Sequence, residues 1–239
     1  DLLSFVNASS ILSKSGAHSK FINLEDIPLN KIDVVIYMPC GYDIWKTKFE
    51  VMNSSSNLFN LFKTKMQFIV DGNRYFNRPA AFLDRDGVIN YDNGYIHKKK
   101  DFKFREGVLK GLKYLIKKGY YIFIVTNQAG IAKGLYTEND LKKLHIYIKN
   151  YLYKKNLFFN DVQYSPFHPK GIKKKYKKKS LLRKPGNQMI RNIFKNWIIN
   201  KGKSFMIGDK SSDQLCAKKS KLNFYYAEKN FYKQIKNIL

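Results

Sequence analysis

At 239 residues the chain has room for one sizeable domain or two small ones, and 44% apolar residues suffice for a packed core. Its 45 Lys and Arg against 18 Asp and Glu give a formal charge of +27, which suits anionic partners such as phosphorylated metabolites, nucleic acid or acidic lipid without choosing among them. The two cysteines, Cys40 and Cys216, exclude a disulfide framework and a cysteine-built zinc site, and no stretch is apolar for long enough to span a bilayer.

The first residue is Asp1 and not Met, so a fragment that has lost a targeting segment stays open. Residues 33–38 read as a buried strand ended by Pro39-Cys40-Gly41; a mixed helix follows from about Asp43, and a second strand covers 67–70. Cys40 reads as a small buried residue, and Tyr42 and Trp45 as packing residues. Asn77-Arg78-Pro79 marks a junction, because proline biases the residue before it away from helix. The expected division is a small α/β piece over 1–79 and a larger domain over 80–239.

The larger domain alternates. Strand 81–84 comes first, and Val108, Leu109, Leu112, Leu115 and Ile116 then predict a helix over about 106–118. A strand over 120–125 leads to a helix from the Thr137 cap to about Lys154, then to strand 161–165 and a long basic loop. A helix over about 187–199, a strand over 204–207, a short helix near 211–219 and a last strand over 223–227 complete the pattern. Strands alternating with helices predict an α/β fold: a parallel sheet with helices on both faces.

Chemistry gathers at strand ends. Asp84-Arg85-Asp86-Gly87 ends the first strand of this domain with two carboxylates one residue apart, which share a side of the strand. Such a pair repels itself and calls for a cation or a shared proton, and Gly87 lets the chain turn and a substrate approach. Taken alone, the run is equally an Asp-Gly turn. Thr126-Asn127-Gln128-Ala129-Gly130 follows another strand with groups that bind phosphate oxygens, or that cap a helix. Arg183-Lys184-Pro185 sets two cations before a helix, and Gly208-Asp209-Lys210-Ser211-Ser212-Asp213 ends a further strand with an acid.

In this order the four segments resemble the motifs of the haloacid dehalogenase-like (HAD-like) phosphohydrolases over about 81–228. The runs 84–90, 94–97, 104–108, 126–134, 167–171 and 183–185 look like D-glycero-D-manno-heptose 1,7-bisphosphate phosphatase, with histidinol-phosphate phosphatases close by. The resemblance implies a Rossmann-like sheet and Mg²⁺-dependent phosphomonoester hydrolysis through an aspartyl-phosphate. It makes Asp84 the nucleophile and Asp86 the acid and base, with Thr126 and Lys184 stabilising the transition state. Mg²⁺ would sit on Asp84, the Asp86 backbone carbonyl and Asp209. Lys210 and Asp213 would orient the site. Arg183, Asp92, Asn93, Gly94, Tyr95, Asn127, Gln128 and Lys210 would contact substrate. The intervals between motifs leave no room for a cap domain, so loops alone should cover the site.

The family commonly carries a zinc loop, but the matching positions here read Ser165, Phe167, Ser180 and Leu182, which make no zinc-ligand set. No zinc is expected, with loop 166–182 still folding over the site and His168 read as a loop histidine. The run from Lys173 to Lys179, interrupted by Tyr176, reads as a solvated loop rather than a nucleic-acid site. Residues about 15–79 resemble part of the carboxyl-terminal lobe of a cobalamin-type periplasmic substrate-binding protein, on runs 16–19, 33–43 and 70–79. The expectation is a cytoplasmic, monomeric phosphatase of a phosphorylated sugar used in lipopolysaccharide precursor synthesis, with no specific nucleic-acid partner. Histidinol phosphate or another sugar phosphate is the alternative substrate, and a corrinoid-binding fragment the alternative of another class.

Overall fold

The computed structural model describes residues 34–37, 66–69 and 77–239. The chain divides into two units, Asp1–Phe76 and Asn77–Leu239. In the first, β1 (Val34–Tyr37) and β2 (Met66–Ile69) pair in parallel with Val34 opposite Met66. The cobalamin-type resemblance, Cys40, Tyr42 and Trp45 otherwise fall outside the described residues.

The second unit is built on a five-stranded, wholly parallel sheet. Its strands are β3 (Ala80–Leu83), β4 (Tyr121–Asn127), β5 (Asp161–Ser165), β6 (Phe205–Gly208) and β7 (Asn223–Tyr226), in the order β5-β4-β3-β6-β7. The helices are α1 (Val108–Lys117), α2 (Ala129–Ala132), α3 (Glu138–Tyr153), α4 (Gln188–Asn196), α5 (Ser211–Lys219) and α6 (Phe231–Ile238). Strand β3 is central and fully buried, so it is apolar throughout rather than alternating. Its side chains still divide between two cores. Ala81 and Leu83 join Ile122, Ile124 and the buried stripes of α1, α3 and α6, whereas Ala80 and Phe82 join Phe123, Met206 and those of α4 and α5. This is the two-faced cover that the alternating elements require.

The caps follow local chemistry. Thr137 Oγ1 accepts from Asp140 N at 3.1 Å while Asp140 Oδ2 accepts from Thr137 N at 2.9 Å, closing a capping box on α3. The structure departs from the sequence expectations at several element ends and in the added helices α2 and α6. Strand β4 runs on to Asn127, because Thr126 and Asn127 keep pairing with Tyr164 and Ser165. Helix α4 stops at Asn196: Trp197 turns extended to pack on Tyr121 and Phe123, and Ile199 bridges to Arg78. Helix α6 was not expected at all. Asn230 caps it, and Phe231 seats against Gly111 of α1, where a Cβ would stand 2.3 Å from the Phe231 ring. Among the described residues no helix is long and apolar enough to cross a membrane.

Candidate active site

The carboxyl ends of β3, β4 and β6 are neighbours, which is where open parallel sheets place their ligands. Asp84 leaves β3 with its N–H donating to Ile207 O at 3.0 Å, Thr126 lies near the end of β4, and Asp209 follows β6. Asp84 and Thr126 line a cavity of about 660 Å³ whose wall also includes Asp86, Lys184, Lys210 and Asp213. That volume suits a phosphorylated small molecule.

Asp84 lies on the floor, 5% exposed. Lys184, also buried, reaches it from near the end of the connection between β5 and α4: its Nζ is 3.0 Å from Asp84 Oδ1, 2.6 Å from Asp213 Oδ1 and donates to Val125 O at 2.8 Å. Burial pushes the Asp84 carboxyl up to about 7, against the opposing pull of the Lys184 ammonium. Burial also works against the Lys184 charge, but Asp84 and Asp213 hold its pKa above the ordinary lysine value. Asn127 locks the Lys184 backbone, accepting from its N–H at 3.0 Å and donating to its carbonyl at 3.1 Å. Asp213 also caps α5, its Oδ2 accepting from Lys210 N at 3.1 Å.

Asp86 is held differently. Its carboxylate accepts from Arg85 Nε and Nη2, from Asn90 Nδ2 at 2.9 Å and from Gln128 Nε2 at 2.9 Å. Gln128 also donates to Thr126 Oγ1 and accepts from Tyr136 Oη at 2.6 Å, so one amide ties three site residues together. Arg85 is buried; its Nη2 donates to Ile96 O and its Nη1 lies 3.3 Å from His145 Nε2. Since guanidinium only donates, His145 Nε2 is the acceptor and the ring is neutral. Burial, then Arg85, hold the His145 pKa down at about 3.

Oxygens of Asp84, Asp209 and Asp213 lie within 4.8 Å of one another. Asp209 Oδ1 is buried without a hydrogen-bond partner, and burial raises the Asp209 pKa. Gly87, at φ +85°, permits this approach: a Cβ there would stand 2.4 Å from Asp209 Oδ2. A converging set of hard oxygens with one orphaned buried lone-pair donor fits a divalent cation such as Mg²⁺. The Asp86 carboxylate is outside this set, turned into its own donors. The zinc positions do not fit that ion: Ser165, Phe167, Ser180 and Leu182 offer no thiolate or imidazole.

Of the expected substrate contacts, Asp92, Gly94, Tyr95, Asn127, Gln128, Arg183 and Lys210 line the cavity. Asp92 is already engaged, its Oδ2 3.2 Å from Lys210 Nζ and its Oδ1 accepting from Gly94 N. Asn93 is exposed and is not part of the wall. His168 lies in the loop as expected and also lines the wall, because loop 166–182 folds back on α2. The sequence reading also passed over Arg85, His145, Tyr136 and Lys133. Arg85, a charge at the end of an apolar strand, carried a local signal; His145 and Tyr136 enter through helix packing and carried none.

A family profile described as polynucleotide kinase 3 phosphatase matches residues 80–237. The D-glycero-beta-D-manno-heptose-1,7-bisphosphate 7-phosphatase of Rhodopseudomonas palustris is 40% identical over 141 residues, which cover 59% of this chain and 78% of that one. The protein of the same name from Escherichia coli K12 is 36% identical over 139 residues, 58% of this chain and 73% of that one. A crystal structure of D,D-heptose 1,7-bisphosphate phosphatase from B. bronchiseptica, complexed with magnesium and phosphate, superposes with a TM-score of 0.56 at 21% identity, over 68% of this chain and 86% of that chain. These matches lend no support to a cobalamin-type lobe. The chain belongs to the polynucleotide kinase 3 phosphatase family and is a HAD-like phosphatase.

Proposed function

We propose that this chain removes the C7 phosphate of D-glycero-D-manno-heptose 1,7-bisphosphate, the reaction its relatives' names describe. The observation that carries the reading is the Asp84 carboxylate, buried on the cavity floor with Lys184 on one side and the orphaned Asp209 oxygen nearby. Asp84 attacks phosphorus; the C7 oxygen leaves and takes a proton from Asp86. Asp86 then takes a proton from the water that attacks the aspartyl-phosphate, which frees phosphate and restores Asp84. Thr126, Lys184 and loop N–H groups face the charge that spreads over the equatorial oxygens. Asp84, the Asp86 carbonyl and Asp209 would hold Mg²⁺, which screens the carboxylate from the anionic phosphoryl group. Asp213 and Asn127 orient Lys184, and Arg183 with Lys210 meets the rest of the substrate. Since a doubly phosphorylated sugar does not cross a bilayer unaided, this reading sets the reaction in the cytoplasm.

The test is phosphate release with Mg²⁺ from the heptose bisphosphate, histidinol phosphate, other sugar phosphates and a 3′-phosphorylated oligonucleotide, beside Asp84→Asn. Release from the C7 position, absent in the variant, is expected. Preference for another member of the panel would overturn the substrate, and release by Asp84→Asn would overturn the nucleophile.

A further inference from the structure

Loop 166–182 carries one wall residue, His168, and leads into another, Arg183, yet Ser165 before it and Phe167, Ser180 and Leu182 within it offer no metal ligands. Something else must fix it, since a loop of this length costs conformational entropy to order. The contacts converge on Glu138, the first residue of α3. Tyr164 Oη, at the end of β5, donates to Glu138 Oε2 at 2.6 Å, and Tyr176 Oη, inside the loop, donates to Glu138 Oε1. Both carboxylate oxygens are therefore occupied by phenols from different elements. These two bonds, Tyr164's first, hold the Glu138 pKa below its ordinary value.

From Tyr176 the restraint reaches the cavity in two short steps. Its carbonyl accepts from His168 N at 3.1 Å, and its ring lies 6.1 Å from the Phe167 ring. The Phe167 carbonyl accepts from Arg183 Nη1 at 3.4 Å. On the other side, Ile172 N and Lys173 N both donate to Ala132 O, at 2.9 and 3.0 Å, which lays the loop along α2.

We infer that Glu138 is a positioning residue: the two tyrosine hydroxyls closed on its carboxylate hold loop 166–182 in place and so set His168 and Arg183 in the cavity wall. The loop needs no metal for this. Charge-assisted hydrogen bonds are the strong kind, and one carboxylate receiving two of them crosslinks a strand end, a helix start and a loop. Substrate grip, rather than the phosphoryl chemistry at Asp84, is what the clamp serves.

The kinetic arm of the test rests on the phosphatase reading, and a proteolytic arm does not. Four variants are compared with wild type: Glu138→Ala, Glu138→Gln, the double variant Tyr164→Phe with Tyr176→Phe, and Thr137→Ala. The last removes the capping box at the same helix end and leaves the clamp. For the heptose bisphosphate, Glu138→Ala and the double variant should raise KM about tenfold, the worth of one charge-assisted bond, with kcat within about twofold. Trypsin should cut the exposed lysines of 173–179 about tenfold faster in the same two variants. Glu138→Gln should fall between, and Thr137→Ala should match wild type in both arms. Unchanged cleavage in Glu138→Ala, or equal effects in Thr137→Ala, would overturn the clamp. If the wild-type chain releases no phosphate, the proposed function fails and cleavage alone decides the clamp.

Discussion

Replacing Lys184 by Met tests the electrostatics of the site floor. The substitution keeps the aliphatic stem and deletes an ammonium that sits 3.0 Å from Asp84 and 2.6 Å from Asp213, all nearly excluded from water. Removing one partner of a buried ion pair costs about 3–5 kcal/mol when the orphaned charge has to stay. A proton can take the ammonium's place. Asp84 already sits near 7 through burial, and losing Lys184, which lowers it, drives it higher. A carboxyl raised in the folded state binds more protons there than in the unfolded state, so stability falls as pH rises to the folded pKa and is flat above it. The metal-free wild type should therefore level off above about pH 7, whereas the variant goes on losing about 1.4 kcal/mol per pH unit. Urea unfolding in EDTA at pH 6, 7 and 8 reads this directly. The gap between the two proteins should widen by about 1 kcal/mol or more from pH 7 to pH 8, with phosphatase activity lost at every pH. A gap that stays constant would refute the placement of Lys184 between ionised carboxylates.

Gly87→Ala forces a side chain onto a φ of +85° and a Cβ to within 2.4 Å of Asp209 Oδ2. The backbone strain alone costs about 1–2 kcal/mol, and displacement of Asp209 should weaken Mg²⁺ binding at least tenfold by calorimetric titration; unchanged affinity would remove Asp209 from the cation set. His145 is held half-buried as a neutral acceptor of the Arg85 guanidinium, with a pKa near 3. Its unfolded form takes a proton near 6.5, so its stabilisation is complete above that pH and is lost progressively below it. Between pH 7 and pH 5 that loss is about 2 kcal/mol, and His145→Asn should show a correspondingly shallower acid slope in urea unfolding. An unchanged slope would mean that the imidazole is not held neutral against Arg85.

The parts of the site legible in the sequence were those fixed by strand ends. Asp84, Thr126 and Asp209 each follow an apolar run, and parallel pairing in register brings those ends together. Lys184 was legible only through its motif, since nothing local in so basic a chain separates it from a solvated lysine. What escaped is what packing decides. Gln128 lines the cavity as expected of a substrate contact, but its bonds to Asp86, Thr126 and Tyr136, which tie the site together, left no local signal. The Glu138 clamp joins residues 26 and 38 positions apart, beyond any local pattern. The end of α4 at Asn196 was misjudged because burial of Trp197 against Tyr121 and Phe123 overrides helical continuation.

The central claim is that Asp84 carries the phosphoryl group. Acid quench of the chain turning over ³²P-labelled heptose bisphosphate with Mg²⁺, followed by peptide mapping, tests it most directly. The account expects a label on the peptide that holds Asp84, released by hydroxylamine as an acyl phosphate should be and missing from Asp84→Asn. A hydroxylamine-labile label on any other residue, or undiminished turnover by Asp84→Asn, would contradict it.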